Sequence, residues 1–188
     1  MKALYLVLAF VLAFIAVKLE RYLVSKGVPL LGRRRPPPPS QQEFTATTVI
    51  VCGDQVLLHV HPKYNKWLPF GGHVEFGELA EAAAAREIKE EGGPERVEFW
   101  RIHEPLTFTD MPQVLTPARV LQYAYPPKVI IDFIYYAKVP TKELPQVDDG
   151  VVKQWFKRED LAHEYPFHYP MPPNVRELCL EALRVLSP

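Results

Sequence analysis

Apolar and polar positions divide the chain into strands and helices. Residues 44–51 are β-branched and threonine-rich, and residues 55–60 form a second such run after a Cys-Gly-Asp turn, so both are expected as strands. Runs 97–108, 119–125 and 129–139 are further strand candidates. The last is the most hydrophobic, which places it at the centre of a sheet. Residues 151–156 give another strand, and Lys157-Arg-Glu-Asp-Leu161 begins a short helix. Between these, residues 79–86 are strong helix formers without a breaker, and Gly92-Gly93-Pro94 stops the helix that they start. Asn174 is expected to cap a closing helix, 175–186, whose apolar positions recur at helical spacing. No internal repeat is visible. The pattern is that of a mixed α and β domain.

The first forty residues do not share it. Residues 3–17 are an unbroken apolar run, preceded by Lys2 and followed by Lys18, Arg21 and Lys26. Fifteen helical residues reach about 22 Å, short of a hydrocarbon core of about 30 Å. Leu19, Tyr22, Leu23 and Val24 complete the span if Lys18 and Arg21 snorkel. A cleaved signal peptide is the rival reading, but Phe14 stands where cleavage after Ala16 needs a small residue. The chain thus divides into a hydrophobic segment, 1–27, expected as a membrane anchor; an Arg/Pro-rich linker, 28–41; and a folded domain, 42–188. Arg33, Arg34 and Arg35 add to the positive charge after the run, which by the positive-inside rule keeps the domain on the cytoplasmic face of a membrane. A soluble or a secreted protein are the alternatives. Pro36 to Pro39 form a stiff spacer, and the arginines can reach anionic lipid.

Composition narrows the partners. The 22 Lys and Arg equal the 22 Asp and Glu, so no overall field calls for a nucleic-acid polymer. Cys52 and Cys179 have neither disulfide-framework nor metal-site spacing.

The chemistry gathers at the helix after 79. Glu87, Glu90 and Glu91 fall on one helical face near its C-terminus, where the macrodipole is also negative. Mutual repulsion makes that costly, and a hard divalent cation rewards it with oxygen ligands. Lys89 points elsewhere and leaves the cluster uncompensated. Taken alone, the triplet also fits a solvated acidic face. The wider pattern is G-x5-E-x7-R-E-I-x-E-E-x-G, with Gly72, Glu78, Arg86, Glu87, Ile88, Glu90, Glu91 and Gly93 at the named places. It resembles the signature box of the Nudix hydrolases, and Trp67-Leu-Pro-Phe-Gly-Gly-His-Val-Glu75 is similar to the family's lead-in. The departure is Pro94, where the family has an aliphatic residue.

That resemblance implies an α+β fold, an α/β/α sandwich with a mixed β-sheet. It implies metal-dependent hydrolysis of a nucleoside diphosphate linked to another moiety, with Mg²⁺ or Mn²⁺ as cofactor. Glu87, Glu91 and Glu90, with the Gly71 carbonyl, become the metal ligands, and Arg86 joins the three glutamates in the catalytic set, paired with Glu78. The general base stays open among the box glutamates, Asp148, Asp149, Glu104 and Asp110. Tyr64, Trp67, Phe70 and Tyr123 are candidates to stack a base, or are core and rim. His59, His61 and His73 are candidates to touch phosphate, or are ordinary surface histidines. The isopentenyl-diphosphate isomerases share the fold but need a catalytic cysteine, and neither cysteine is near the box. The other alternative is a catalytically silent nucleotide-binding module, or a membrane-tethered sensor.

Overall fold

The computed structural model describes residues 41–107, 110, 113–146, 150–162 and 168–187. The anchor segment, the linker to residue 40, Asp148 and Asp149 lie outside them. Among the described residues, no helix is long and apolar enough to cross a membrane.

Eight strands form one mixed sheet. They are β1 (Gln41–Cys52), β2 (Gln55–His61), β3 (Lys66–Leu68), β4 (Phe70–His73), β5 (Glu98–Phe99), β6 (Arg119–Tyr125), β7 (Lys128–Lys138) and β8 (Lys153–Lys157). β1 and β7 run parallel along eleven register pairs, from Gln41↔Lys128 to Val51↔Lys138. The other pairings are antiparallel: β2 and β4 join β1, β3 and β8 join β2, and β5 and β6 join β7. The apolar run of β7 is central, as its hydrophobicity implied, with Ile134, Tyr135, Tyr136 and Ala137 all buried. The run 97–108 yields only the two residues of β5, since its backbone leaves the sheet after Trp100 donates to the Tyr136 carbonyl at 2.8 Å.

Helices cover both faces: α1 (Ala80–Glu90), the short α2 (Arg158–Ala162) and α3 (Pro173–Leu186). One core layer joins Val49, Val51, Ile134 and Tyr136 to Val175, Cys179, Ala182 and Leu186 of α3. On the opposite face Ile50, Leu57 and Phe70 enclose Ile88 of α1. The Tyr136 hydroxyl donates to Glu181 at 2.8 Å, and Arg119 pairs with the same carboxylate, tying α3 to β6 and β7. Asn174 is not the cap of α3. Pro172 holds that place and Pro173 opens the helix, where a missing N–H costs nothing. The Asn174 amide instead donates to the Tyr123 hydroxyl at 3.3 Å. Pro94 does not disturb the exit of α1: Gly92 takes φ +66°, the Gly93 N–H donates to the Ile88 carbonyl at 2.7 Å, and Pro94 is buried beyond them.

Candidate active site

β4 has two side-chain-free positions because two neighbours lie against it. A Cβ on Gly72 would stand 2.3 Å from Oε1 of Glu87. A Cβ on Gly71 would stand 2.5 Å from the Ala46 carbonyl oxygen and 2.8 Å from Thr47 Cα. The first glycine admits a carboxylate from α1, and the second admits the backbone of β1. The Gly71 N–H donates to Oε2 of Glu91 at 2.9 Å, so the residue that closes α1 is pinned to β4, while the Glu87 carboxylate lies against Gly72.

Arg86 compensates much of the charge that the sequence left unbalanced. Its Nη1 donates to Glu87 at 2.8 Å and to Glu90 at 3.0 Å. Nε and Nη2 grip Glu78 at 3.0 and 2.9 Å, and Nη2 also donates to the His73 carbonyl at 2.9 Å. One guanidinium therefore fastens the end of β4, the loop and the helix, and its partners raise its own pKa further. The expectation of three uncompensated carboxylates is corrected on this point: helical spacing puts Arg86 within reach of Glu90 at i+4, and adjacency puts it beside Glu87.

Glu91 is the exception. It is largely buried, and that burial pushes its carboxyl up to about 7, with the charges of Glu87 and Glu90 adding to the effect. The Gly71 N–H and the charge of Lys153 oppose the rise. His59 lies beside it, Nε2 3.4 Å from Oε1 of Glu91, with 1% of the residue exposed and its ring 4.9 Å from that of Phe70.

Among the described residues, no three acidic, histidine or cysteine side chains converge into a ready metal site; Arg86 stands bonded to both Glu87 and Glu90. The donor chemistry nevertheless fits a hard divalent cation. It consists of carboxylate oxygens at one helix end against a backbone that Gly72 leaves open.

The other candidates scatter. Trp67 and Phe70 are core residues, 4% and 0% exposed. Trp67 packs edge-on against Phe156 and Tyr169, and Phe70 packs beneath Ile88 and His59, so neither offers a ring face to a base. Tyr64 is 54% exposed, its ring 4.6 Å from that of His61. His73 is exposed beside Glu43 at 3.2 Å. Glu104 and Asp110 are exposed between β5 and β6. Both cysteines are buried, and burial pushes the Cys179 thiol up to about 12, which removes it as a nucleophile. Two groups escaped the sequence reading: the direct contact of His59 with Glu91, and Asp132. The latter is buried in β7 and accepts from the Thr47 hydroxyl at 2.9 and 3.1 Å. Burial raises its carboxyl pKa.

The family model of the NUDIX domain matches residues 43–178, which span the sheet and the box. The chain belongs to the Nudix family. A solved Nudix-family hydrolase from Clostridium perfringens is 30% identical, with TM-score 0.63, covering 77% of this chain and 97% of that one. A MutT Nudix hydrolase from Burkholderia pseudomallei (20% identity, TM-score 0.50, 78% and 99% covered) shares the fold. So does a Nudix hydrolase from Nitrosomonas europaea (23%, TM-score 0.51, 77% and 90%). The comparison with curated proteins finds no match. This Nudix protein is a hydrolase of pyrophosphate bonds, and Nudix hydrolases generally use divalent metal.

Proposed function

We propose that the chain splits a pyrophosphate bond in a nucleoside diphosphate linked to a further group, using Mg²⁺ or Mn²⁺ held by Glu87, Glu90, Glu91 and the Gly71 carbonyl. The carrying observation is Glu91: a buried carboxylate, raised to about 7, fixed to β4 and facing two further glutamates. A bound cation neutralises phosphate charge and lowers the pKa of water. Arg86 keeps loop and helix in register, and Gly72 keeps the Glu87 carboxylate close to the β4 backbone. Water gives up a proton to a carboxylate base as its oxygen adds to phosphorus, the bridging P–O bond breaks, and the leaving phosphate takes its electron pair.

A thermal melt tests the metal reading without turnover. Mg²⁺ or Mn²⁺ binding the folded chain alone must raise the melting temperature. Glu91 has to give up a proton to act as a ligand, so the rise should be larger at pH 8 than at pH 6. Replacing both Glu87 and Glu91 by Gln should abolish most of it. A rise unchanged in that variant would place the cation elsewhere. Phosphate release from a nucleotide panel, with and without metal, separates the enzyme from a silent binding module or sensor.

Residues 3–24 are proposed as an anchor that leaves the domain on the cytoplasmic face, on the strength of the apolar run and the cations after it. Full-length protein should then sediment with membranes and resist carbonate extraction, while a fragment from Gln41 stays in the supernatant with equal activity. A secreted chain lacking residues 1–27 would identify a signal peptide instead.

A further inference from the structure

β2 carries a buried histidine where its other buried positions are apolar. Val56, Leu58 and Val60 enter the core layer beneath α3, and Leu57 packs with Ile88 of α1 on the opposite face. Side chains two apart on a strand share a face, so His59 follows Leu57 toward α1, as Glu91 follows Ile88 by about one helical turn. Strand and helix run out together, and the imidazole meets the carboxylate: Nε2 stands 3.4 Å from Oε1 of Glu91. Burying an imidazole among apolar side chains is costly without a polar partner, and a leucine would fill the place without that penalty. β3 and β8 flank β2 on either side, at His59↔Leu68 and His59↔Lys153, and the Phe70 ring lies 4.9 Å away. His59 is therefore held on a fixed strand.

We propose that His59 is a positioning residue for the metal ligand Glu91. The inference rests on the metal-dependent reading above and adds a residue to it. The two oxygens of Glu91 then answer to two different strands: Oε2 to the Gly71 N–H of β4 at 2.9 Å, and Oε1 to the His59 ring of β2. Two fixed oxygens set the plane of the carboxylate, and each keeps a further lone pair for a cation. The imidazole acts as a neutral donor with its proton on Nε2. Contacts of this kind are often long before a ligand arrives and tighten when it binds. Glu87 and Glu90 take hydrogen bonds from Arg86, a residue of their own helix, whereas Glu91 is oriented from the sheet. Donors behind a metal ligand strengthen metal binding by about tenfold or more.

Calorimetric titration of the full-length chain with Mn²⁺ tests this without turnover. His59→Leu fills the place but removes the donor; it should keep or raise the metal-free melting temperature and weaken Mn²⁺ binding by about tenfold or more. His59→Gln restores an N–H close to where Nε2 stands, and should return the affinity to within about threefold of the original. Should Leu lower the metal-free melting temperature, His59→Met takes its place as a flexible apolar filler. A double-mutant cycle tests the route through Glu91. In a Glu91→Gln background, His59→Leu should change Mn²⁺ affinity by no more than about twofold, because the group it acts through is gone. Unchanged affinity in His59→Leu, equal losses in the Leu and Gln variants, or the same loss with and without Glu91 overturns the positioning role and leaves the metal reading standing. An unmodified chain that binds no Mn²⁺ overturns the metal reading, and this inference with it.

Discussion

Replacing Glu91 by Gln should lower turnover by about a thousandfold or more while leaving the metal-free protein as stable as before, or more so. The two halves have one physical origin. Glutamine keeps the shape of the side chain and can still accept the Gly71 N–H, but it cannot supply a charged oxygen to a cation. It also resembles the protonated acid, the form that burial favours. The sign follows from linkage. Between about pH 4.5 and about 7, the folded state holds a proton that the unfolded chain has released, so metal-free stability falls as pH rises through that window and levels off above it. The Gln variant should lack this fall. Glu87→Gln should behave differently, because Glu87 is paired with Arg86 at 2.8 Å and its loss leaves part of that guanidinium unmatched. Melts of the two variants across pH 5 to 8, in chelator, together with single-turnover rates in metal, check both halves. A Glu91→Gln protein that is much less stable at pH 8 would make that carboxylate a structural element.

The sequence carried the fold because its signals were local: the run of β7, the β-branched runs of β1 and β2, and the breakers after α1 all operate within a few residues. The candidate site was legible to the extent that helical spacing determines it, which places Glu87, Glu90 and Glu91 together. Spacing could also have revealed Arg86 as their partner, since Arg86 and Glu90 are one turn apart. The misplaced rings have another cause. Trp67 and Phe70 flank the lead-in, but which side of the sheet each one faces depends on the pairing of β3 with β2 and of β4 with β1. A one-residue change in register reverses such a face. His59 was hidden for the same reason: its meeting with Glu91 joins residues 32 apart across two elements, and only the tertiary fold brings them within 3.4 Å. Asn174 failed as a cap because Pro172 and Pro173 fix the start of the helix before it.

Adding one methyl group to β4 should give opposite outcomes at two adjacent positions. In Gly72→Ala the new Cβ meets the Glu87 carboxylate, the far end of a flexible side chain, at 2.3 to 2.6 Å from its three outer atoms. Glu87 can rotate away, so the fold should survive with a melting temperature within a few degrees of the original. The carboxylate would then leave its place beside β4, and turnover should fall at least about a hundredfold, as displacement of a charged ligand predicts. In Gly71→Ala the Cβ meets the backbone of β1 instead, at the Ala46 carbonyl and Thr47 Cα, and those atoms belong to the central strand pair. Neither can move without breaking the β1–β4 register at Thr47↔Gly71 and Ala46↔Gly72, so this variant should lose stability outright, with soluble yield and melting temperature both falling. Melting curves and turnover measured on the pair separate the roles. If Gly72→Ala retains full activity, the Glu87 carboxylate does its work somewhere other than against β4.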